Sequence, residues 1–400
     1  MQLGWIDFSK EARNKVLSVI DLLSEDGTLD ELGIAAVRDG FANVFFPGTS
    51  TIQTRAKYFV IVPYVFTELE KRRELNSRAV LEQLDAKERR CGEILTATGA
   101  DGVVGSRSLK SGTWVKRTPA DIYWAGIRRY GIFTGGNFSL SEYVRASCAL
   151  KAQKNTLQNL GNRKDDAEEC ERDDADSGGL FTTTFWNLPI FPADWMDGLT
   201  IGLSKEEVNF LKDKIISSCS GSMMAYILEN NLSDIPQMNS FHDLATGSIN
   251  QFPDDIRADY WMAKAFSNFI YGARIRYNIM LSQGKNELAK SEWDLFMEDI
   301  DLYTDVDIDA IFKRLQIYNP MLRGFLLDIQ ANMHERDVEA LDERIFKREC
   351  QLKGVGRAKL SSAGEFPVDA WIGGGALDYR FGNASVIIND IFSGEGATKC

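Results

Sequence analysis

Between Asp254 and Ser282, apolar residues recur every three or four positions as Ala263, Phe266, Ile270, Ala273, Tyr277 and Leu281, and no proline interrupts them before Gly284. That spacing follows the helical turn and places one apolar stripe along a long helix, which other elements must cover. The rest of the C-terminal half repeats the signature. Ser204-Lys-Glu-Glu207 has capping-box spacing ahead of Val208, Leu211 and Ile215. Ser291 precedes Trp293, Phe296 and Ile300 as a cap, and Asp307 to Tyr318 is a short helix closed by Asn319-Pro320. Val338, Leu341 and Ile345 mark another, with Glu343 and Lys347 spaced for an i,i+4 pair. Leu377, Tyr379 and Phe381 alternate as in a strand, and Asn383 reads as the cap of a helix through Val386, Ile387 and Ile391.

The N-terminal part is more mixed. Leu3 to Phe8 reads as a short strand, and Ser9 as the cap of a helix striped by Ala12, Val16, Val19, Ile20 and Leu23. Thr28-Leu-Asp-Glu31 has capping-box spacing ahead of Ile34, Val37, Phe41 and Phe45, with a stop at Pro47-Gly48. The run Tyr58 to Phe66 is rich in β-branched and aromatic residues, so a buried strand and a kinked buried helix both fit it; Pro63 argues against a central strand. Thr67 to Thr98 reads as a charged helix. Thr118-Pro-Ala-Asp121 starts the next one, with a hydroxyl at the cap and Pro in the first turn. The fold class expected is mostly α, an α+β chain with a few short strands near the termini and a winged-helix-like module in its N-terminal part.

Charge divides the chain. Residues 1–150 carry 20 Lys and Arg against 18 Asp and Glu; the remainder carries 26 against 40, so the net charge of −12 belongs to the C-terminal part. Between them, residues 151–179 hold eight acidic residues and Leu157 and Leu160 as the large apolar ones. Such a segment buries too little to offset the entropy of ordering it. The organisation expected is therefore an N-terminal part (1–150), an acidic flexible linker or loop (151–179) and an acidic helical domain (180–400). The first third of the linker also reads as a polar surface helix.

The longest apolar run, Tyr58 to Phe66, falls far short of the ~20 residues a spanning helix needs. The first residues lack the cationic start of a signal peptide. Cys91, Cys148, Cys170, Cys219, Cys350 and Cys400 form no CxxC pair. A cytoplasmic location without membrane association is the expectation.

The sequence contains no GxxxxGK[ST], no GxGxxG and no HExxH, and has two histidines, His242 and His334. Neither a cofactor nor a bound metal is expected. Asp305-Val-Asp-Ile-Asp309 lacks the Gly and Glu of a calcium loop, with Ala310 and Gln316 in their places, and reads better as a helix cap. Asp176-Ser-Gly-Gly179 resembles a serine-protease nucleophile, but both histidines follow it in the chain. Asp85-Ala-Lys87 offers half of a metal-dependent nuclease signature on a charged helix. No catalytic motif is complete.

The distinctive region is 53–131, with 15 Lys and Arg against 9 Asp and Glu, interleaved with Trp114, Tyr123, Trp124 and Tyr130. Two basic helices around a turn-rich connection have helix-turn-helix proportions. Arg55, Lys57, Arg117, Trp124, Arg128 and Arg129 are the expected contacts to nucleic acid or to a partner protein. Arg128 and Arg129 also suit the negative end of a helix, and the charged helix suits a plain solvated face.

Leu3-Gly-Trp-Ile-Asp-Phe-Ser9, Phe46-Pro-Gly-Thr-Ser-Thr-Ile-Gln-Thr-Arg-Ala-Lys-Tyr-Phe59, Ile122-Tyr-Trp-Ala-Gly-Ile-Arg-Arg-Tyr-Gly-Ile132 and Leu377-Asp-Tyr-Arg-Phe-Gly-Asn-Ala-Ser-Val-Ile-Ile-Asn-Asp-Ile391 resemble the bacterial domain-of-unknown-function family numbered 6361. The resemblance implies no catalytic set. It implies an uncharacterised bacterial protein of antiviral or mobile-element gene clusters, encoded beside helicases and nucleases. The function expected is thus a non-catalytic accessory subunit that binds nucleic acid or a nucleic-acid-processing partner. A metal-dependent nuclease or phosphodiesterase and a protein scaffold are the alternatives.

Overall fold

Cap residues set most helix starts in a computed structural model that describes residues 30–72, 76–161 and 185–396. Fifteen α-helices run through the described residues. They are α1 (Ala35–Phe45), α2 (Tyr58–Lys71), α3 (Ser77–Ala97), α4 (Ser106–Lys110), α5 (Pro119–Arg129) and α6 (Leu140–Gly161). Then follow α7 (Lys205–Ser218), α8 (Met223–Glu229), α9 (Asp254–Leu281), α10 (Glu287–Glu298) and α11 (Ile300–Thr304). The last four are α12 (Ile308–Leu315), α13 (Pro320–His334), α14 (Val338–Lys353) and α15 (Phe381–Gly396). The mostly α reading holds.

The described strand-like pairing is one isolated antiparallel bridge, Phe133 with Trp186. Region 53–131 has no pair of strands among its described residues, so the winged-helix reading lacks a wing. The expected strand at Leu377–Phe381 is also corrected. Tyr379 and Arg380 both take left-handed backbone angles (φ 48° and 66°), which break the alternation, and Phe381 opens α15. Asn383 lies inside that helix and caps nothing; its amide donates to the carbonyls of Thr51 (3.2 Å) and Gln53 (2.9 Å). The strand and helix expected over residues 3–23, and residues 162–179 of the expected linker, lie outside the described residues. Residues 151–161 continue α6.

Tyr58 to Phe66 resolves as helix. Every residue from Tyr58 to Phe66 is buried, so the run has no polar face to show a helical period, and Pro63 sits within it. The charged helix expected at 67–98 is two, since α2 ends at Lys71 and Asn76 caps α3 through Arg78 N (2.9 Å). Asn286, not Ser291, caps α10. The Ser204–Glu207 box forms as read, with Glu207 Oε2 accepting from Ser204 N at 2.8 Å.

The chain makes two compact units that do not follow its charge blocks. One joins residues 43–248 with 380–400, the other residues 1–42 with 249–379, and the first division falls inside α1. In the latter, α9 supplies the stripe read from sequence, with Phe266, Ile270, Ala273 and Tyr277 buried. Arg348 of α14 donates to Leu32 O (3.0 Å). Glu349, fully buried, accepts from Tyr277, Lys353 and the Leu360 amide.

In the former, α2 lies against α3 and α5. Gly126 of α5 has no room for a side chain, because a Cβ there would stand 2.4 Å from Gly48 O. Phe66, Trp124, Phe133, Tyr143 and Trp186 form one aromatic cluster, whose edge-to-face geometries stabilise it beyond burial alone.

Candidate nucleic-acid interface

The six residues expected at the interface separate into three classes. Arg55 and Lys57 are internal struts. Arg55 places Nε and Nη2 on Asp390 (3.0 and 2.8 Å) and Nη1 on Asp101 O (3.0 Å). The hydrogen bond to Asp390 raises the guanidinium pKa further. Lys57 Nζ lies 2.6 Å from Glu207 Oε2, and both side chains are less than a tenth exposed. The pair lines a cavity of about 390 Å³ with Tyr64, Phe191 and Trp195. Glu207 is already satisfied there by Lys57, by the Tyr64 hydroxyl (3.3 Å) and by Ser204 N, so neither charge is left over for an anion.

Trp124 is core. It is 6% exposed, inside the aromatic cluster, with Nε1 donating to Phe138 O (3.0 Å). Its neighbour Tyr123 is buried as well, so α5 is covered over a wide arc that takes in the Trp124 position.

Arg128 is half-buried, with Nη1 donating to Asn137 O (3.1 Å). Arg129 is exposed and donates to Ser218 O (2.7 Å). Arg117 is exposed and precedes the α5 cap. Nine residues of helical rise separate Pro119 from Arg128, about 14 Å, and Arg117 stands before that helix, so the two ends of α5 do not share one phosphate.

Sequence reasoning missed a better-defined group. From Gly102 to Ala120 the chain has no acidic residue and carries Arg107, Lys110, Lys116 and Arg117. All four are exposed, and none makes an ion pair among the described residues. The signal was present in the spacing of acids, Asp101 then Asp121, and was lost when charge was summed over a wider window.

The backbone under these cations is fixed at several points. Arg55 grips Asp101 O at the start, and the Tyr58 hydroxyl accepts Val104 N (2.9 Å). Val103 and Val104 are buried. Trp114 donates to Asp85 (2.9 Å), and its ring covers Gly92 and Gly105, where a Cβ would come within 3.3 and 2.9 Å. Gly105 also has φ 78°, which glycine adopts without the clash of a side chain. At the far end, Glu88 of α3 accepts Ala120 N (2.6 Å). Burial pushes the Glu88 carboxyl up to about 8, against the hydrogen bonds it receives.

Two consequences follow for the chemistry. The free amides at the start of α5 are taken by protein carboxylates, Glu88 on Ala120 and Asp121 on Thr118, so the helix end has no amide left for an anion there, and the available cationic groups are the side chains before it. The nuclease-like Asp85 and Lys87 also have structural partners, Trp114 for the first and Glu68 for the second. Among the described residues, no group of three or more His, Cys, Asp or Glu is placed to hold a metal ion. No described helix is long and apolar enough to cross a membrane. Asp307 caps α12 through Ala310 N (2.8 Å), and Asp309 pairs with Arg323, as the capping reading of that acidic run expected.

The basic segment and its supports fall in the part of the chain that known sequences recognise. Residues 1–163 match the model of a family of unknown function, DUF6361. The DUF6361 match takes in three of the four segments on which the resemblance was read; Leu377 to Ile391 lies beyond it. It also takes in Arg55, Asp85, Glu88 and the four exposed cations. No curated protein and no solved structure matches the chain.

Proposed function

We propose that the protein is a non-catalytic nucleic-acid-binding accessory subunit, whose contact surface is the basic segment between Asp101 and Asp121. The observation that carries this reading is the acid-free stretch with four exposed, unpaired cations on a backbone fixed from beneath. The backbone beneath these side chains is already ordered and loses little further freedom on meeting phosphates, and release of condensed counterions supplies the affinity. Arg129, and Arg128 with its half-buried stem, would extend the contact along α5. The sequence-independent character of the surface suits a subunit that holds a strand for a processing enzyme. The antiviral or mobile-element setting belongs to the same proposal.

The experiment is a salt-titrated gel shift with double-stranded DNA, single-stranded DNA and RNA. The combined substitution R107E/K110E/K116E/R117E is expected to abolish retention at moderate salt. Neutralising the four cations to Gln should flatten log K against log salt by about 3, at roughly 0.7–0.9 per phosphate contact. Retention of every nucleic acid by the reversed variant would remove the proposal.

A further inference from the structure

The second unit carries a surface of opposite character. In α10 and α11, three leucines stand at seven-residue intervals, Leu288, Leu295 and Leu302, each directly preceded by an acid, Glu287, Asp294 and Asp301. Seven residues are nearly two helical turns, so Leu288 and Leu295 share one face of α10 about 10 Å apart, and Leu302 carries the spacing onto α11. The three are 59%, 56% and 70% exposed. One exposed leucine is ordinary, whereas two on one helix face, with a third continuing the spacing on the next helix, form a patch.

An adjoining face of α10, about a third of a turn round, explains why these leucines are not core. Ala289, Trp293 and Phe296 are buried, with Trp293 stacked on Phe296 (5.5 Å) and the Arg276 guanidinium over the Trp293 ring. Phe296 fits against Gly272 of α9, where a Cβ would lie 2.4 Å from its ring. The helix is thus fixed by one apolar face and presents a second to solvent.

The flanks select the occupant. Around the leucines lie Glu287, Glu292, Asp294, Glu298, Asp299 and Asp301; of the nearby cations, Lys290 is paired to Glu287, Arg336 to Asp301 (3.4 Å), and Lys285 precedes the helix, so acids outnumber bases two to one. An anionic membrane or a nucleic acid would be repelled by that field. A second copy laid stripe on stripe would set acid against acid. We infer that the α10–α11 stripe docks a basic amphipathic helix of a partner protein, with apolar residues of matching seven-residue spacing between lysines and arginines, in the manner of a short two-helix coiled coil.

The test uses the full chain and two labelled synthetic peptides of 21 residues, with leucines every seventh position in a helix-forming background. One peptide carries Lys and Arg beside the leucines, the other Glu and Asp. By fluorescence anisotropy the basic peptide should bind at least tenfold more tightly than the acidic one, and added salt should narrow the gap. L288S/L295S should weaken the basic peptide at least tenfold with the unfolding midpoint unchanged. E287K/D294K/D301K should reverse the preference, a readout that damage to the fold does not produce. Equal binding of both peptides overturns the inference, as does binding indifferent to both variants. A chain that self-associates in sedimentation and becomes monomeric on L288S/L295S overturns it in favour of a second copy. None of these outcomes bears on the basic segment, so the two proposals fail separately.

Discussion

Arg55 and Lys57 stand within 62 residues of Arg107, Lys110, Lys116 and Arg117, are the same residue types, and do the opposite work. The first two end on Asp390 and Glu207, far along the chain, and tie one unit together. The other four meet no carboxylate among the described residues and remain in solvent. Local charge does not separate the two groups, because the neutralising acids are distant in sequence. What separates them is whether the fold returns an acid to the cation, and that decides between a strut and a charge left in solvent.

The comparison is broken most severely by taking one partner from the internal pair. Lys57→Met leaves the Glu207 carboxylate buried without its cation and should cost about 3–5 kcal/mol, read by urea unfolding with tryptophan fluorescence. Adding Glu207→Gln, which keeps an oxygen for Ser204 N, should recover more than half of the loss. A single-variant loss below about 1 kcal/mol would show that the pair is not the strut described here.

Glu88 sharpens the comparison, since it is an acid buried without any cation. Its carboxyl is raised in the fold to about 8 from an ordinary 4.5, so the folded state keeps a proton that the unfolded chain has released. Between those values the unfolded state binds fewer protons, and stability must therefore fall as pH rises, levelling above about 8. Glu88→Gln should remove that part of the slope and make the variant relatively more stable at pH 8 than at pH 5. Identical pH profiles for the two proteins would contradict it.

The smallest effect is expected where the cations are free. Lys116→Glu with Arg117→Glu should move the unfolding free energy by no more than about 0.5 kcal/mol, because no buried partner is lost. A larger change, in the same urea experiment, would reveal an ion pair that the exposed positions do not show.

Much of the helical framework was legible because caps and periods are local. Ser204 with Glu207, Asp307 and the α9 stripe all act within a few turns of themselves. The run at Tyr58–Phe66 was not, because a helix buried on every side loses its period. Trp124 was read as a contact but is core, because the rings that cover it include Phe66 and Trp186, both far from it in sequence. The alternation at Leu377–Phe381 misled because a loop residue, two left-handed residues and the first turn of a helix happen to alternate in polarity. Of the candidate site, one residue in four was legible, Arg117; Arg107, Lys110 and Lys116 were outweighed by acids on α3 that belong to its own surface.

The hold of α3 on the basic segment has a consequence for how freely its outer surface can be altered. Asp85, Glu88 and Gly92 fix the Trp114 ring and the Ala120 amide, while the four cationic side chains take no part in that clasp. The outward groups can therefore be exchanged like interchangeable tips on one handle, at four positions and with no rebuilding of the mount.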